Sequence, residues 1–193
     1  MYIVGLGNPG EEYKLTRHNA GRIVLDYFLK SRGLPDWQYD KKLNSLKSEG
    51  KFGKEKIILL APETFMNNSG RSLQKVITSK KKAKELMLLH DDIDLPLGKF
   101  KIVFNRGSAG HKGVKSIIRA IKNQEFCRIR IGITPAMPSG KLKKPKDKKL
   151  LEFITGDFKP KELGIIKKTA KEITEAVETT LEKGIQRAMN EWN

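Results

Sequence analysis

The sequence predicts one α/β domain in which helices flank a mixed, largely parallel twisted sheet. Short apolar runs typical of buried strands alternate along the chain with segments whose apolar residues recur at helical spacing. The alternation continues to the C-terminus without an internal repeat or a linker, and a chain of 193 residues fits one domain. We therefore expect residues 1–193 to form a single domain.

The N-terminal half contains patterns that predict three strands and two helices. Gly33 is expected to end the first helix, and the Gly53-Lys54-Glu55 turn is expected to join the second and third strands. The predicted elements are a strand at Tyr2–Val4, a helix from Asn19 to about Lys30, strands at Leu43–Phe52 and Lys56–Leu60, and a helix capped by Asn68 or Ser69 that carries Leu73, Val76 and Ile77.

The C-terminal half continues the alternation with three strands and two helices. Arg128–Ile133 alternates basic with apolar residues, so we expect that strand to have one solvent-exposed and one buried face. The lysine- and proline-rich stretch Pro135–Lys149 is expected to be mobile. The other predicted elements are strands at Leu86–Leu89 and Lys99–Phe104, a helix after a glycine-rich loop that carries Val114, Ile117, Ile118 and Ile121, and a C-terminal helix from about Pro160 that carries Ile166, Ile173, Val177, Leu181 and Ile185.

The ends of three predicted strands carry the polar residues that suggest a site. Val4 leads into a glycine turn, Leu86–Leu89 leads into His90–Asp92, and Ile57–Leu60 leads into the polar stretch Ala61–Asn68. Ligands of open α/β sheets gather outside the carboxyl ends of the strands. We therefore expect these loops to converge on one rim.

The charge balance is the strongest global indication of a partner. Lys and Arg number 39 against 22 Asp and Glu, which gives a net charge of +17 and a pI near 9.9. Such an excess attracts polyanions and favours nucleic acid, although lysines scattered as a solubilising surface would give the same composition. Charge therefore indicates a partner without naming a reaction.

Composition also disfavours several classes of protein. The single cysteine, Cys127, excludes an internal disulfide and a cysteine zinc cluster, and is typical of a reducing compartment. The first residues show no secretory signal, and no apolar run approaches the ~20 residues of a membrane span. We expect a cytoplasmic protein that does not associate with a membrane.

The turn Gly5-Leu6-Gly7-Asn8-Pro9-Gly10 formally matches the dinucleotide fingerprint G-x-G-x-x-G after a strand. Pro9 removes an N–H from the turn that would hold the pyrophosphate, and Asp26, at the right distance for a ribose contact, lies inside a predicted helix. A competing interpretation is that the glycines clear space for a substrate and that the Asn8 carboxamide points at it. The second interpretation is favoured.

His18 is the sharpest candidate for chemistry, because it lies between Arg17 and Asn19 where a helix should begin. A neutral imidazole can take a proton from water when an acceptor fixes the tautomer of its ring, and Asp91 on another strand can supply that acceptor. No G-x-S-x-G motif occurs, and Cys127 lies in an apolar and basic strand. Water is therefore the simplest nucleophile.

A metal site at His90, Asp91, Asp92 and Asp94 is an alternative function for the second polar cluster. Adjacent residues of a strand point to opposite faces, and neither H-x-x-x-H nor H-E-x-x-H accompanies them, so we expect no metal. His111 is expected either to be an ordinary residue at a helix N-terminus or to lie in a loop whose free N–H groups hold a phosphate.

Taken together, these segments resemble the bacterial-type peptidyl-tRNA hydrolase family along nearly the whole chain. The first three blocks are too long and too well ordered for chance similarity. The blocks are IVGLGNPGEEYKLTRHNAG at 3–21, PETFMNNSG at 62–70, HDDIDLPLGKFK at 90–101, GSAGHKGVKSI at 107–117, RIRIGI at 128–133 and AMN at 188–190.

The resemblance implies a metal-free enzyme without a cofactor that cleaves the ester joining a peptide to the terminal ribose of tRNA. Such an enzyme recycles tRNA from prematurely released peptidyl-tRNA. His18 would be the general base and Asp91 its orienting partner. The side chains implied to surround the substrate, with the two asparagines also stabilising the developing oxyanion, are Asn8, Tyr13, Met66 and Asn67.

The chain departs from the family pattern at the glycine-rich loop. Many members carry asparagine directly after the loop histidine, whereas this chain carries Lys112, which donates hydrogen bonds but accepts none. The loop is also one glycine shorter, which shifts the expected register of His111. We expect activity to persist with altered substrate contacts and Lys112 to act as a binding residue only.

Basic residues flank the expected cleft and give the positive charge a role. Contacts with phosphates of the acceptor stem would be sensitive to salt and largely indifferent to sequence. The residues expected to make them are Lys99, Lys101, Arg128 and Arg130. The stretch Lys141–Lys149 is expected either to extend this surface as a flexible lid or to be a plain solvated loop.

These observations lead to the hypothesis of a monomeric cytoplasmic esterase acting on peptidyl-tRNA. The main alternative is a non-catalytic RNA-binding relative, for which only Lys112 argues. A nucleotide-dependent oxidoreductase is the third hypothesis.

Overall fold

A seven-stranded mixed sheet runs through the centre of the structure, a computed structural model that describes residues 1–145 and 147–193. The four central strands are parallel to one another, whereas antiparallel strands lie at both edges. In the order in which they lie across the sheet, the strands are β2 (Gln38–Asp40), β3 (Ser45–Phe52), β4 (Glu55–Pro62), β1 (Tyr2–Gly5), β5 (Leu86–Pro96), β7 (Cys127–Thr134) and β6 (Phe100–Phe104). The predicted fold class is confirmed.

Helices cover both faces of the sheet and enclose two apolar clusters. Because successive side chains of a strand point to opposite faces, Ile3 packs with α1 and α6 while Val4 packs with α2 and α4. The α-helices are α1 (Ala20–Ser31), α2 (Gly70–Leu73), α3 (Lys80–Lys84), α4 (Lys112–Ile121), α5 (Leu150–Thr155), α6 (Pro160–Lys183) and α7 (Ile185–Trp192). No helix of the described residues is long and apolar enough to cross a membrane.

β5 extends seven residues beyond the strand predicted at Leu86–Leu89. His90, Asp91 and Asp92 lie inside the strand, where they pair in register with Arg130, Ile131 and Gly132 of β7. The prediction that the strand leads into a loop at residue 90 is therefore wrong. The apolar run stops at residue 89 although the strand continues, because His90, Asp91 and Asp92 are buried against polar partners and not against apolar side chains.

β7 is buried on both faces, so the prediction of one solvent-exposed face is wrong. Arg128 retains only 2% of its accessible surface and Arg130 is half-buried. The neighbouring strands and the loop above them cover these side chains. The basic residues of this strand therefore alternate with apolar ones because they bind partners inside the protein: Arg128 donates to Gly107 and Arg130 to Asp92.

The second predicted helix is much shorter than expected. It ends at Leu73, so Val76 and Ile77 lie beyond it, and the Ser69 hydroxyl donates to the Met66 carbonyl oxygen at 2.9 Å without capping the helix. The Ser116 hydroxyl of α4 accepts a bond from the Gly70 N–H at 3.0 Å. Tight packing against α4 therefore replaces a local cap.

Three elements, β2, α3 and α5, are not predicted from the sequence. Gly184, with φ of 82°, divides the predicted C-terminal helix into α6 and α7. Within the stretch predicted to be mobile, Ala136 pairs with Leu142, and a short 3-10 helix covers Asp147–Lys149. Lys146, which belongs to the predicted lid or solvated loop, lies outside the described residues.

The start of α1 packs against the sheet at a glycine. A Cβ on Gly21 would lie 2.3 Å from the Leu89 carbonyl oxygen and 2.8 Å from the Leu6 nitrogen. Both are backbone atoms of the elements that carry the polar rim, so neither can move without displacing it. The distance between α1 and β5 therefore depends on this glycine.

We expect Gly21→Ala to lower the free energy of unfolding by about 3 kcal/mol, because overpacked sites without room to relax are destabilising. Gly164→Ala is the control, since nothing lies within 4 Å of a Cβ at that exposed helical position. It should raise the free energy of unfolding by about 0.5–1 kcal/mol. Urea denaturation measures both values, and equal stability of the two variants would contradict the close approach of α1 to β5.

Candidate active site

Polar side chains meet at the carboxyl edge of the parallel strands. Asn8 follows β1, His18 lies in a 3-10 turn at Arg17–Asn19, and Asp91 lies in β5. The turn at Met66–Asn68 follows β4, and His111 and Lys112 begin α4. The predicted convergence of three strand ends is thus present, and the start of α4 completes it.

His18 and Asp91 form a buried pair at the centre of this edge. Nδ1 of His18 lies 3.0 Å from Oδ1 and 2.9 Å from Oδ2 of Asp91, and only 6% and 3% of the two residues are exposed. An ionised carboxylate only accepts, so Nδ1 carries the proton and donates it to Asp91. Nε2 of His18 is then the basic nitrogen of the neutral ring.

The pKa of His18 reflects opposing effects. Burial lowers the pKa, the Asp91 carboxylate raises it through charge and hydrogen bonding, and Lys112 lowers it slightly; the net direction is upward from the ordinary value. Loss of the carboxylate would leave the lowering effects alone. Asp91 therefore decides the basicity of His18.

His111 is a second hydrogen-bond partner of Asp91. Its Nδ1 accepts from the backbone N–H groups of Gly113 at 3.1 Å and Val114 at 3.3 Å, so its proton must lie on Nε2. Nε2 donates to Oδ1 of Asp91 at 2.9 Å. These two N–H groups are occupied by the ring of His111 and are not free for the phosphate considered from the sequence.

Two imidazoles thus compensate the burial of Asp91. Burial alone raises the pKa of this carboxyl, but the hydrogen bonds and charges of His18 and His111 hold the pKa below its usual range. The carboxylate therefore remains ionised at neutral pH. Of the two partners of Asp91, His111 has its tautomer fixed by the N-terminus of α4.

The members of the alternative metal cluster are engaged separately. Nδ1 of His90 donates to the Asp91 carbonyl oxygen at 2.8 Å, Asp92 pairs with Arg130, and Asp94 pairs with Lys144 at 2.7 Å. Burial, with the nearby His111 charge, lowers the pKa of His90 well below its ordinary value. These contacts leave the four residues without a common centre.

A different set of potential metal ligands does converge within the described residues. Ligand atoms of His18, Asp91 and His111 lie within 4.8 Å of one another. Both imidazole nitrogens that face the carboxylate carry protons in this arrangement, and a metal would have to displace them. The donor set fits a carboxylate shared by two hydrogen bonds better than a metal centre.

Asn8 is held by a network of backbone and side-chain bonds. Its Oδ1 accepts from the Met66 N–H at 2.9 Å. Its backbone N–H donates to Oδ1 of Asn19 at 2.8 Å, and Nδ2 of Asn19 donates to the Asn8 carbonyl oxygen at 2.9 Å. Nδ2 of Asn8 has no acceptor among the described residues, so it presents two N–H donors.

Of the other residues expected at the substrate, Met66 contacts Asn8 through its backbone N–H. Met66 is buried, and its Sδ packs against the start of α4 at Gly113. Asn67 is exposed, and Tyr13 packs edge-on against Phe65 with ring centroids 6.3 Å apart. Asn8 is thus joined to the turn that carries Met66 and Asn67.

A cavity of about 630 Å³ opens beside His18. Its lining includes His18, Asp91 and Lys112, and a basic wall formed by Lys101, Arg106 and Arg130. Asn8, Tyr13, Met66 and Asn67 lie outside this lining, and Lys99 is exposed but does not line the cavity. His18 and Asp91 therefore line a basic cavity, and Asn8 is joined to the His18 turn through Asn19.

Arg128 and Arg130 differ in what their guanidinium groups contact. Arg130 is half-buried and donates to Asp92, and it lies opposite exposed Lys101 in the β6–β7 ladder. Arg128 donates to the Gly107 carbonyl oxygen at 2.9 Å, and burial together with the Arg130 charge lowers its pKa to about 10. Arg128 lines the cavity but retains only 2% of its accessible surface, so its position suits a support for the glycine-rich loop.

Comparisons with known proteins agree along the whole chain. A profile described as Peptidyl-tRNA hydrolase matches residues 2–193. The chain belongs to the peptidyl-tRNA hydrolase family. It is 40% identical to the peptidyl-tRNA hydrolase of Caldanaerobacter subterraneus subsp. tengcongensis over 100% of both chains, and 39% identical to that of Fervidobacterium nodosum over 100% of this chain and 96% of the other.

The fold agrees with a solved member of the family. The crystal structure of peptidyl-tRNA hydrolase from Acinetobacter baumannii superposes with a TM-score of 0.88 at 28% identity, covering 100% of this chain and 93% of that one. The whole chain therefore shares the family fold, including the elements that carry His18 and Asp91.

Sequence reasoning missed three contributions to this family site. Asn19 was treated only as a neighbour of His18, whereas it holds Asn8; His111 was not expected to share Asp91; and Arg106 was not expected in the basic wall. A histidine directly before a helical pattern was a signal for an N-cap. No local pattern revealed that its other nitrogen reaches β5.

We expect Asp91→Asn to move the pKa of His18 from above its ordinary value to below it, because burial and Lys112 then act without the carboxylate. NMR titration of the His18 imidazole in the wild-type protein and the variant measures this reversal. An unchanged titration would contradict the role of Asp91 in setting the basicity of His18.

Proposed function

We propose that this chain hydrolyses the ester bond between peptide and tRNA in peptidyl-tRNA, with water activated by His18 and Asp91. The observation that carries the proposal is the buried His18–Asp91 pair, which leaves Nε2 of His18 as a free base beside a basic cavity. Membership of the peptidyl-tRNA hydrolase family supports this substrate. The product tRNA would be recycled from prematurely released translation products.

The reaction requires one proton to move twice. Nε2 of His18 takes a proton from water as its oxygen attacks the ester carbonyl, and Asp91 stabilises the imidazolium that forms. When the tetrahedral intermediate collapses, the bond to the ribose oxygen breaks and His18 returns the proton to that oxygen. The products are a tRNA with a free hydroxyl and a peptide carboxylic acid, which becomes a carboxylate by releasing the second proton of the water to solvent.

Water, and not a side chain, is the nucleophile in this scheme. Cys127 is buried, and burial raises the pKa of its thiol to about 12, so almost no thiolate exists at neutral pH. The ester leaving group needs less assistance than an amine. One base without a covalent intermediate is therefore sufficient.

We assign the developing negative charge on the carbonyl oxygen to amide donors. Nδ2 of Asn8 is suitable, because the Met66 N–H fixes its Oδ1 and thereby fixes which side the donors face. Exposed Asn67 is proposed as a second donor. Tyr13 and Met66 would contact the peptide beside the ester.

Lys112 is proposed to bind substrate at the opposite side of the ester. It is exposed at the first turn of α4, lines the cavity, and its charge acts on the pKa of His18. A cation at this position attracts the substrate phosphates or a carbonyl oxygen. It also opposes protonation of His18, which keeps more of the base neutral.

The basic wall is proposed to bind the tRNA backbone. Lys101 and Arg130 lie side by side on β6 and β7, and Lys99 extends the surface beyond the cavity. Contacts of lysine and arginine with phosphates do not depend on base sequence, which suits a substrate class of many tRNAs. Arg128 would act through the Gly107 loop.

We further propose that residues 1–193 act as one domain, as a monomer in the cytoplasm and without a metal or another cofactor. All groups assigned to the reaction come from one chain. The buried reduced Cys127 is consistent with a reducing compartment.

His18→Ala should reduce the hydrolysis of an N-blocked aminoacyl-tRNA at least about 100-fold, because general bases contribute typically 10²–10⁴-fold. tRNA binding should change little, since the base acts on the barrier more than on docking. The assay measures release of the blocked amino acid with and without EDTA. EDTA should have no effect on the wild-type enzyme.

Near-normal turnover by His18→Ala would show that another group is the base. Salt-sensitive tRNA binding without cleavage by the wild-type protein would instead favour the RNA-binding relative, and Lys112→Asn would then be the variant to assay. Loss of cleavage in EDTA would overturn the metal-free scheme.

Lys101→Ala should weaken tRNA binding and reduce the slope of log K against log salt concentration by about 0.7–0.9, the loss of one phosphate contact. Lys171→Ala is the matched control, since it removes the same charge from an exposed position on α6. Binding is measured between roughly 50 and 200 mM salt, a range over which the loss of one phosphate contact changes the slope measurably. Equal slopes for both variants would remove Lys101 from the tRNA surface.

A further inference from the structure

The two neighbours of His18, Arg17 and Asn19, are attached to two different parts of the molecule. Asn19 exchanges two hydrogen bonds with Asn8, which fixes the turn to the loop after β1. On the other side, Arg17 contacts the segment that ends α5 and begins α6, residues 153–162. The three-residue turn that carries the base is thus held between two anchors.

The Arg17 guanidinium, with only 8% exposure, binds four acceptors of the 153–162 segment, while its Nε has no partner among the described residues. Nη1 shares its two N–H groups among three carbonyl oxygens, those of Asp157 at 2.8 Å, Gly156 at 3.1 Å and Phe153 at 3.5 Å. Nη2 pairs with Glu162 at 2.7 Å. The two nitrogens of a planar fork reach the carboxylate and the carbonyl oxygens together, which the single nitrogen of an ammonium group cannot do.

Apolar and backbone contacts reinforce the same attachment. Cζ of Arg17 lies 4.7 Å from the ring centroid of Phe153 and 5.6 Å from that of Phe158. The Arg17 N–H donates to the Gly156 carbonyl oxygen at 3.1 Å, and the Phe158 N–H donates to that of Leu15 at 2.9 Å. Side chain and backbone therefore fix the turn at one position along the 153–162 segment.

The turn is held at both of its ends. It belongs to no strand, but it continues directly into α1, whose start packs against the Leu89 carbonyl oxygen of β5 at Gly21. At its N-terminal end, Thr16 makes no side-chain bond to the turn, and the contacts of Arg17 hold it. The 2.9 Å contact between His18 and Asp91 therefore depends on both attachments.

We propose that Arg17 is a positioning residue for the hydrolysis, which holds His18 in register with Asp91 by fixing the turn to the 153–162 segment. The inference rests on the proposed function. The same attachment fixes α5, whose Leu150 and Ile154 line the cavity. Arg17 thereby joins the base and one cavity wall into a single rigid unit.

The decisive variant is Arg17→Lys, which keeps the charge but has one nitrogen in place of two, so it cannot bind Glu162 and the carbonyl oxygens together. Arg32→Lys is the matched control, because Arg32 pairs with Glu178 and likewise ties the N-terminal half to α6, away from the cavity. Arg17→Lys should lower the melting temperature more than Arg32→Lys, because Arg17 is buried whereas Arg32 is exposed and makes one ion pair.

Only Arg17→Lys should lower kcat, by about 10- to 100-fold, since displacement of a reacting group by a fraction of an ångström to 1 Å has effects of this order. KM should stay within about twofold, as the basic wall is unaltered. The acidic limb of kcat/KM should move to lower pH, because His18 retreats from Asp91 while it still faces His111 and Lys112.

NMR titration of His18 without substrate gives a second readout that does not depend on catalysis. A lowered pKa in Arg17→Lys and an unchanged one in Arg32→Lys would support the proposal. Wild-type protein that fails to cleave peptidyl-tRNA would overturn the proposed function, and the titration would still decide the role of Arg17.

A folded Arg17→Lys variant with normal kcat and unchanged His18 titration would refute the positioning role. If Arg17→Lys does not fold, Phe153→Leu removes the ring beneath the guanidinium and leaves its carbonyl acceptors in place. That variant should lower kcat and the pKa of His18, as Arg17→Lys does, but by a smaller factor. An unchanged kcat and an unchanged pKa would also refute the positioning role.

Discussion

The buried carboxylate of Asp91 determines the arrangement of His18 and His111 around it. An ionised carboxylate removed from water is strongly unfavourable unless donors replace its hydration. His18 and His111 supply those donors from two separate elements, each at 2.9 Å. Because β5 holds the carboxylate inside the sheet, the 3-10 turn that carries His18 and the start of α4, where His111 lies, must both pack close to Asp91.

The consequence for His111 is that one ring joins a helix to the sheet. Nδ1 of His111 accepts from N–H groups in the first turn of α4, which have no partner within the helix. The proton of the neutral ring therefore lies on Nε2, which donates it to Asp91. The helix start, the tautomer and the carboxylate are thus determined together. The glycine-rich loop at residues 107–110 carries this ring to Asp91, and Arg128 holds the loop through the Gly107 carbonyl oxygen.

The parts of the structure that depend on local pattern could be predicted from the sequence. Apolar periodicity was sufficient for β1 and α1, and the clustering of polar residues after apolar runs indicated the rim that contains His18 and Asp91. The extent of β5 could not be predicted, because His90, Asp91 and Asp92 have partners far away in the sequence. Arg128 was misjudged for the same physical reason: its burial depends on a hydrogen bond to a loop 21 residues earlier.

Under the proposed function, two unlike sets of contacts would let one site treat a large class of substrates alike. Lys101 and Arg130, which line the cavity beside His18, would bind phosphates of any RNA sequence. Asn8, which is joined to the His18 turn through Asn19, would offer amide donors to a carbonyl group that every peptide ester contains. Because neither contact reads a base or a particular side chain, selectivity would come from the requirement that both be made together. An ester that joins peptide to RNA is the chemical bond that meets this requirement.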